Sequence, residues 1–142
     1  RPLCFASKHL YKWRPITSRS DHRTTSSIPE ADLARTTNVL SYGWADGALE
    51  TYGSGLLLYH CFCDSHGIPK TQRALASADL IATFAAAAAG NYTTKTVKNY
   101  AAGVRAWHIL HGVTWAPNKA EFDVLIHATL ALQPPSASRK KR

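Results

Sequence analysis

Two segments of this 142-residue chain concentrate side chains able to do chemistry. Thr93 to His111 reads Thr-Thr-Lys-Thr-Val-Lys-Asn-Tyr-Ala-Ala-Gly-Val-Arg-Ala-Trp-His-Ile-Leu-His. At about 100° per residue, Val97, Tyr100, Val104, Trp107 and His111 share one side, and Lys95, Lys98, Ala102, Arg105 and Ile109 share the other. One face is able to bury while the other carries three cations along a stripe. That chemistry suits a phosphate backbone better than a substrate pocket. The second segment, His60-Cys61-Phe62-Cys63-Asp64-Ser65-His66, offers thiols and imidazoles to a metal. A zinc site needs a Cys pair two to four residues apart and a second pair at a distance. Cys-x-Cys on a helix points its sulfurs about 200° apart. Packing is therefore expected for Cys61 and Cys63, with no metal.

His108 and His111 flank Trp107 and read as core or capping groups. A Cys/His hydrolase would need its nucleophile held by the base, and no motif supports such a pair. The chain is expected not to be an enzyme, with no cofactor and no small-molecule substrate. Around the stripe, Thr94 and Thr96 sit where a helix start can donate to a phosphate, and either can equally serve as a cap. Asn99 and Arg105 are the stripe's only candidates for reading a base edge, so backbone recognition is expected to dominate. Lys70 and Arg73 flank a turn and are expected to extend the same surface. Arg139, Lys140, Lys141 and Arg142 form a terminal cluster that fits a backbone-tracking tail or a nuclear localisation patch.

The net charge of +8 is unevenly spread. Residues 1–40 carry seven Lys/Arg against three Asp/Glu, residues 41–132 carry six of each, and four more cations close the chain. A basic surface on the middle part therefore requires charges segregated between helices, with Asp46, Glu50 and Asp64 on one and Lys95, Lys98 and Arg105 on another. No run reaches the roughly 20 apolar residues of a membrane span, and no signal peptide is visible. Three cysteines cannot pair completely, which suits reduced thiols inside a cell. The chain opens on Arg1 and contains no methionine, so it is expected to be a piece of something longer.

These residues need elements to hold them. Residues 1–27, rich in Ser, Thr and Arg, are expected to form a mobile basic arm. A helical domain is expected over 28–133 and a basic tail over 134–142. A short leading helix starts at Pro29 and runs to about Leu40. A long one from about Trp44 to Ser65 buries Leu49, Tyr52, Leu56, Tyr59 and Cys63, with Gly67 and Pro69 stopping it. Gly53 and Gly55 each cost it about 1 kcal/mol, which close approach of another helix would offset. Ser77 caps the next helix, which ends at Gly90. Thr93 or Thr94 caps the basic helix, and Gly112 closes it. The last starts near Asn118, where Asn118 and Glu121 match a capping box, and buries Phe122, Leu125, Ile126, Thr129 and Leu132. Nothing alternates with period two. The expected fold is all-α, an orthogonal bundle of four main helices with a short leading one and flexible basic termini.

The order of these features resembles the amino-terminal core-binding (SAM-like) domain of tyrosine recombinases of the phage-integrase type. Thr51-Tyr52-Gly53-Ser54-Gly55-Leu56 and Tyr59-His60-Cys61-Phe62-Cys63-Asp64 resemble that domain's first core helix. Tyr92 to Tyr100, with Ala102 to His108 and His111-Gly112, resemble a later helix with a hydroxyl-rich opening. The details look closest to recombinase-like proteins of fungal mobile elements. The resemblance covers about residues 40–132 and implies binding of double-stranded DNA without catalysis. The family's catalytic Arg, His-x-x-Arg and nucleophilic Tyr are not found here. It further implies other recombinase protomers as partners, a nuclear location and no membrane. A helical module for protein–protein contact or self-association is the alternative, and non-specific binding by the basic arms alone is a weaker one.

Overall fold

The computed structural model describes residues 3–16 and 27–134. Among them are six α-helices and no strand: α1 (His9–Lys12), α2 (Glu30–Leu40), α3 (Asp46–Ser65), α4 (Ala78–Ala88), α5 (Thr94–Leu110) and α6 (Lys119–Ala128). The fold is all-α, a helical bundle. Helices α4, α5 and α6 begin where hydroxyl and amide side chains satisfy open N–H groups of a first turn. Ser77 accepts from the Leu80 amide, Thr93 from the Thr96 amide and Asn118 from the Glu121 amide. Gly67 (φ 68°) and Gly112 (φ 77°) turn the chain at the ends of α3 and α5 in the left-handed conformation that suits glycine. The following amides, of Ile68 and Val113, return to the carbonyls of Cys63 and His108.

The most extensive contact in the bundle is between α3 and α5. Glycine makes it possible. A Cβ added to Gly55 would lie 2.6 Å from the Tyr100 Cα, and one added to Gly103 would lie 2.6 Å from the Tyr52 carbonyl oxygen. The two helices thus exchange a glycine for a tyrosine in both directions, which answers the helix cost of Gly55. Around this seam Leu56, Tyr59, Cys63, Ile81, Phe84, Val104, Trp107 and Leu110 are buried. A smaller cluster of Ala85, Ala88, Val97 and Ile126 joins α4, α5 and α6.

The expectation of a mobile arm over 1–27 is corrected for its first part. Part of residues 3–16 packs on the bundle, with Leu10 and Trp13 buried while Leu3 and Phe5 stay exposed. Gly53 admits the Ala6 backbone, so its compensation is a short 3₁₀ turn (Ala6–Lys8) rather than a helix. Three further bonds anchor the segment: the His9 Nδ1 donates to the Gly53 carbonyl (2.9 Å), the His111 Nε2 donates to the Leu10 carbonyl (2.7 Å), and the Trp107 indole N–H donates to the Trp13 carbonyl. The composition of residues 1–27 hid this, because its apolar anchors are only a few among many polar residues. The rest of that arm, 17–26, and the tail 135–142 lie outside the described residues. At the other end, Leu132 is exposed rather than buried, because α6 gives way to a 3₁₀ turn (Thr129–Leu132) that rotates it outward.

Candidate nucleic-acid interface

The sequence stripe survives as a ridge on α5. Lys95, Lys98 and Arg105 are exposed, Ala102 between them is half-buried, and Ile109 is 38% exposed. None of the three cations forms an ion pair among the described residues, where the pairs are Arg73–Asp64 and Lys119–Asp123. The ridge runs about 15 Å from Lys95 to Arg105 at 1.5 Å per residue. Its width is limited, because Ala101 on one flank and Ala106 on the other are buried. The exposed arc therefore spans about 80° of the helix. Asn99 lies half-buried beside it.

The start of α5 is less open than the sequence suggests. The Thr94 amide donates to the Gln133 side-chain oxygen (2.9 Å) and the Thr96 amide to the Thr93 hydroxyl (3.1 Å). The Thr94 hydroxyl accepts from Thr129 (3.0 Å), and that of Thr96 accepts from Thr93 (2.9 Å). Two amides that would cradle a phosphate are thus already engaged. Thr94 and Thr96 hold the helix end together, and only their remaining hydroxyl hydrogens face the ridge question at all.

Arg73 is corrected outright. It is 5% exposed, and its guanidinium donates to the Asp64 carboxylate (2.8 Å) and twice to the Ile68 carbonyl (2.7 and 3.0 Å). Its Nη1 lies 3.2 Å from the His60 Nδ1. A cation placed at a turn by sequence looks available, but here the loop after α3 wraps around it. Lys70 is exposed, yet it does not extend the α5 ridge. It lines a cavity of about 120 Å³ together with Trp13, Arg73 and Trp107. Trp107 points about 200° away from Arg105 around α5, so that cavity belongs to another side of the molecule. Arg139, Lys140, Lys141 and Arg142 lie outside the described residues.

Most of the other candidates for chemistry are interior. Cys63 is buried and Cys61 exposed, so their sulfurs diverge. Burial raises the Cys63 thiol pKa and likewise raises that of Tyr59, whose hydroxyl donates to the Arg73 carbonyl (2.7 Å). His108 is fully buried. Its Nδ1 donates to the Val104 carbonyl (2.8 Å) and its Nε2 accepts from the Ala76 amide (3.0 Å). Burial lowers its pKa from 6.5 to about 4, opposed by the bond to Val104. Cys63, Tyr59 and His108 thus belong to the core, while Cys61 faces solvent. Among the described residues no three His, Cys, Asp or Glu side chains cluster as a metal site would require, and no helix is long and apolar enough to cross a membrane.

No family model, no curated protein and no solved structure matches the chain. Sequence reasoning singled out none of Lys8, Lys12, Tyr11 and Tyr42. The structure brings these four around one groove beside Trp44. A visible signal was the helical spacing of Lys8 and Lys12, with apolar Leu10 and Trp13 interleaved.

Proposed function

We propose that the chain binds double-stranded DNA through its phosphate backbone, as the non-catalytic core-binding domain of a tyrosine-recombinase-like protein of the nucleus. The observation that supports this most is the ridge itself. Three cations line the solvent side of a helix whose other sides are packed, with no carboxylate paired to any of them among the described residues. Phosphate contacts supply affinity without sequence information. The buried flanks at Ala101 and Ala106 favour α5 lying against the duplex and spanning phosphates, since a helix entering a major groove exposes more of its circumference. On the ridge, Arg105 is then the exposed residue placed to reach a base edge.

Titration of a labelled duplex at two salt concentrations tests the reading, with wild type and a Lys95→Glu/Lys98→Glu variant. The expected result is a loss of at least tenfold in affinity at low salt that shrinks at high salt. Equal binding by both proteins would remove the ridge as the contact surface. The alternative reading, self-association, draws on Val124, Leu130 and Leu132, which are 69%, 50% and 61% exposed near the carboxyl end of the domain. Sedimentation equilibrium of the chain without DNA separates it: a monomer at tens of micromolar removes self-association.

A further inference from the structure

Between the amino-terminal segment and the turn that joins α2 to α3 lies a groove of about 610 Å³. Its lining includes Lys8, Lys12, Tyr11, Tyr42, Trp44 and Asn38. Tyr42 is 81% exposed, so its phenol ring stands open to solvent at the groove's edge. Tyr11 is 37% exposed, while Trp44 is half-buried and packs against the core. Lys8 and Lys12 are one helical turn apart, both exposed and both outside any ion pair among the described residues. Asp46 is the only carboxylate in the lining.

We propose that this groove is a binding site for unpaired nucleotides of a nucleic-acid strand. Single strands are held by aromatic rings on which bases stack, interleaved with cations that follow the phosphates. The groove supplies both. Tyr42 and Trp44 offer stacking planes, Lys8 and Lys12 reach the backbone, and the Asn38 amide presents a donor and an acceptor to a base edge. A paired base cannot use such rings, because its faces are already stacked inside the duplex. The site is made by residues other than the α5 ridge and does not depend on the duplex reading.

Fluorescence anisotropy of a labelled 15-nucleotide oligo(dT) with the full chain tests this, beside a duplex of equal length. Tyr42→Ala is expected to weaken oligo(dT) binding about tenfold, and Lys8→Glu/Lys12→Glu by a similar factor, with duplex affinity changed less than twofold. Lys95→Glu/Lys98→Glu should leave oligo(dT) binding within twofold of wild type. Oligo(dT) should also quench tryptophan fluorescence, and Trp44→Phe should remove most of that quenching. Tyr42 touches little of the protein, so thermal melting of Tyr42→Ala should match wild type and secure the comparison even if the lysine pair variant folds poorly. The proposal is overturned if wild type does not bind oligo(dT) at low salt, or if folded Tyr42→Ala binds it as wild type does. Loss of duplex binding alone in the Lys95/Lys98 variant bears on the ridge and leaves the groove intact.

Discussion

The two sides of α5 follow opposite rules. Toward α3 every position is fixed by shape: Gly103 meets the Tyr52 backbone, Val104 and Trp107 are buried, and His108 spends both ring nitrogens on backbone partners. Toward solvent, Lys95, Lys98 and Arg105 are exposed and form no ion pair among the described residues. A residue on the first side is explained by the fold. Three like charges on the second side are not fixed by packing, which leaves them available to an anionic partner of the kind proposed above. The contrast should therefore appear as a clean split between variants that unfold the protein and variants that leave it folded but unable to hold DNA.

The largest effect is expected for Trp107→Ala, which empties the centre of the core and should cost about 3–5 kcal/mol in chemical denaturation. Next is the protonation of His108. Its pKa in the folded state, about 4, lies below the unfolded value of 6.5. The unfolded chain therefore binds the extra proton between those values, and stability should fall as pH drops through 6.5 toward 4, by about 3 kcal/mol in all. Above pH 6.5 this contribution is constant. Denaturation curves at pH 7.5 and 4.5 measure it, and His108→Gln should flatten the slope. Gly103→Ala should cost about 1–3 kcal/mol, because backbone must move to admit the methyl group. Lys95→Ala/Lys98→Ala should change stability by less than about 0.5 kcal/mol. A large loss there would erase the distinction between the two sides.

Much of the helical frame was legible in the sequence, for identifiable reasons. Ser77, Thr93 and Asn118 accept the amides that their positions suggested, and the spacing of Val97, Tyr100, Val104, Trp107 and His111 does define a packed side. What escaped was tertiary. The packing of Leu10 and Trp13 depends on Gly53 and on His111, more than 40 residues away in each case by hydrogen bond. No local pattern carries that information. Arg73 failed as a surface cation for the same reason, since Asp64 and Ile68 become its partners only when the loop closes. The ridge was readable because periodicity alone sorts its residues. The groove beside Tyr42 was not, because it joins α1 to the end of α2 across residues 17–26.

The salt dependence of duplex binding tests the central claim most directly. Each phosphate contact contributes about 0.9 to the slope of log affinity against log salt. Replacing Lys95, Lys98 and Arg105 together by alanine should therefore lower the magnitude of that slope by about 2.7 units, with thermal melting unchanged. An unaltered slope in a folded triple variant would contradict the account, and would mean that the duplex is held elsewhere.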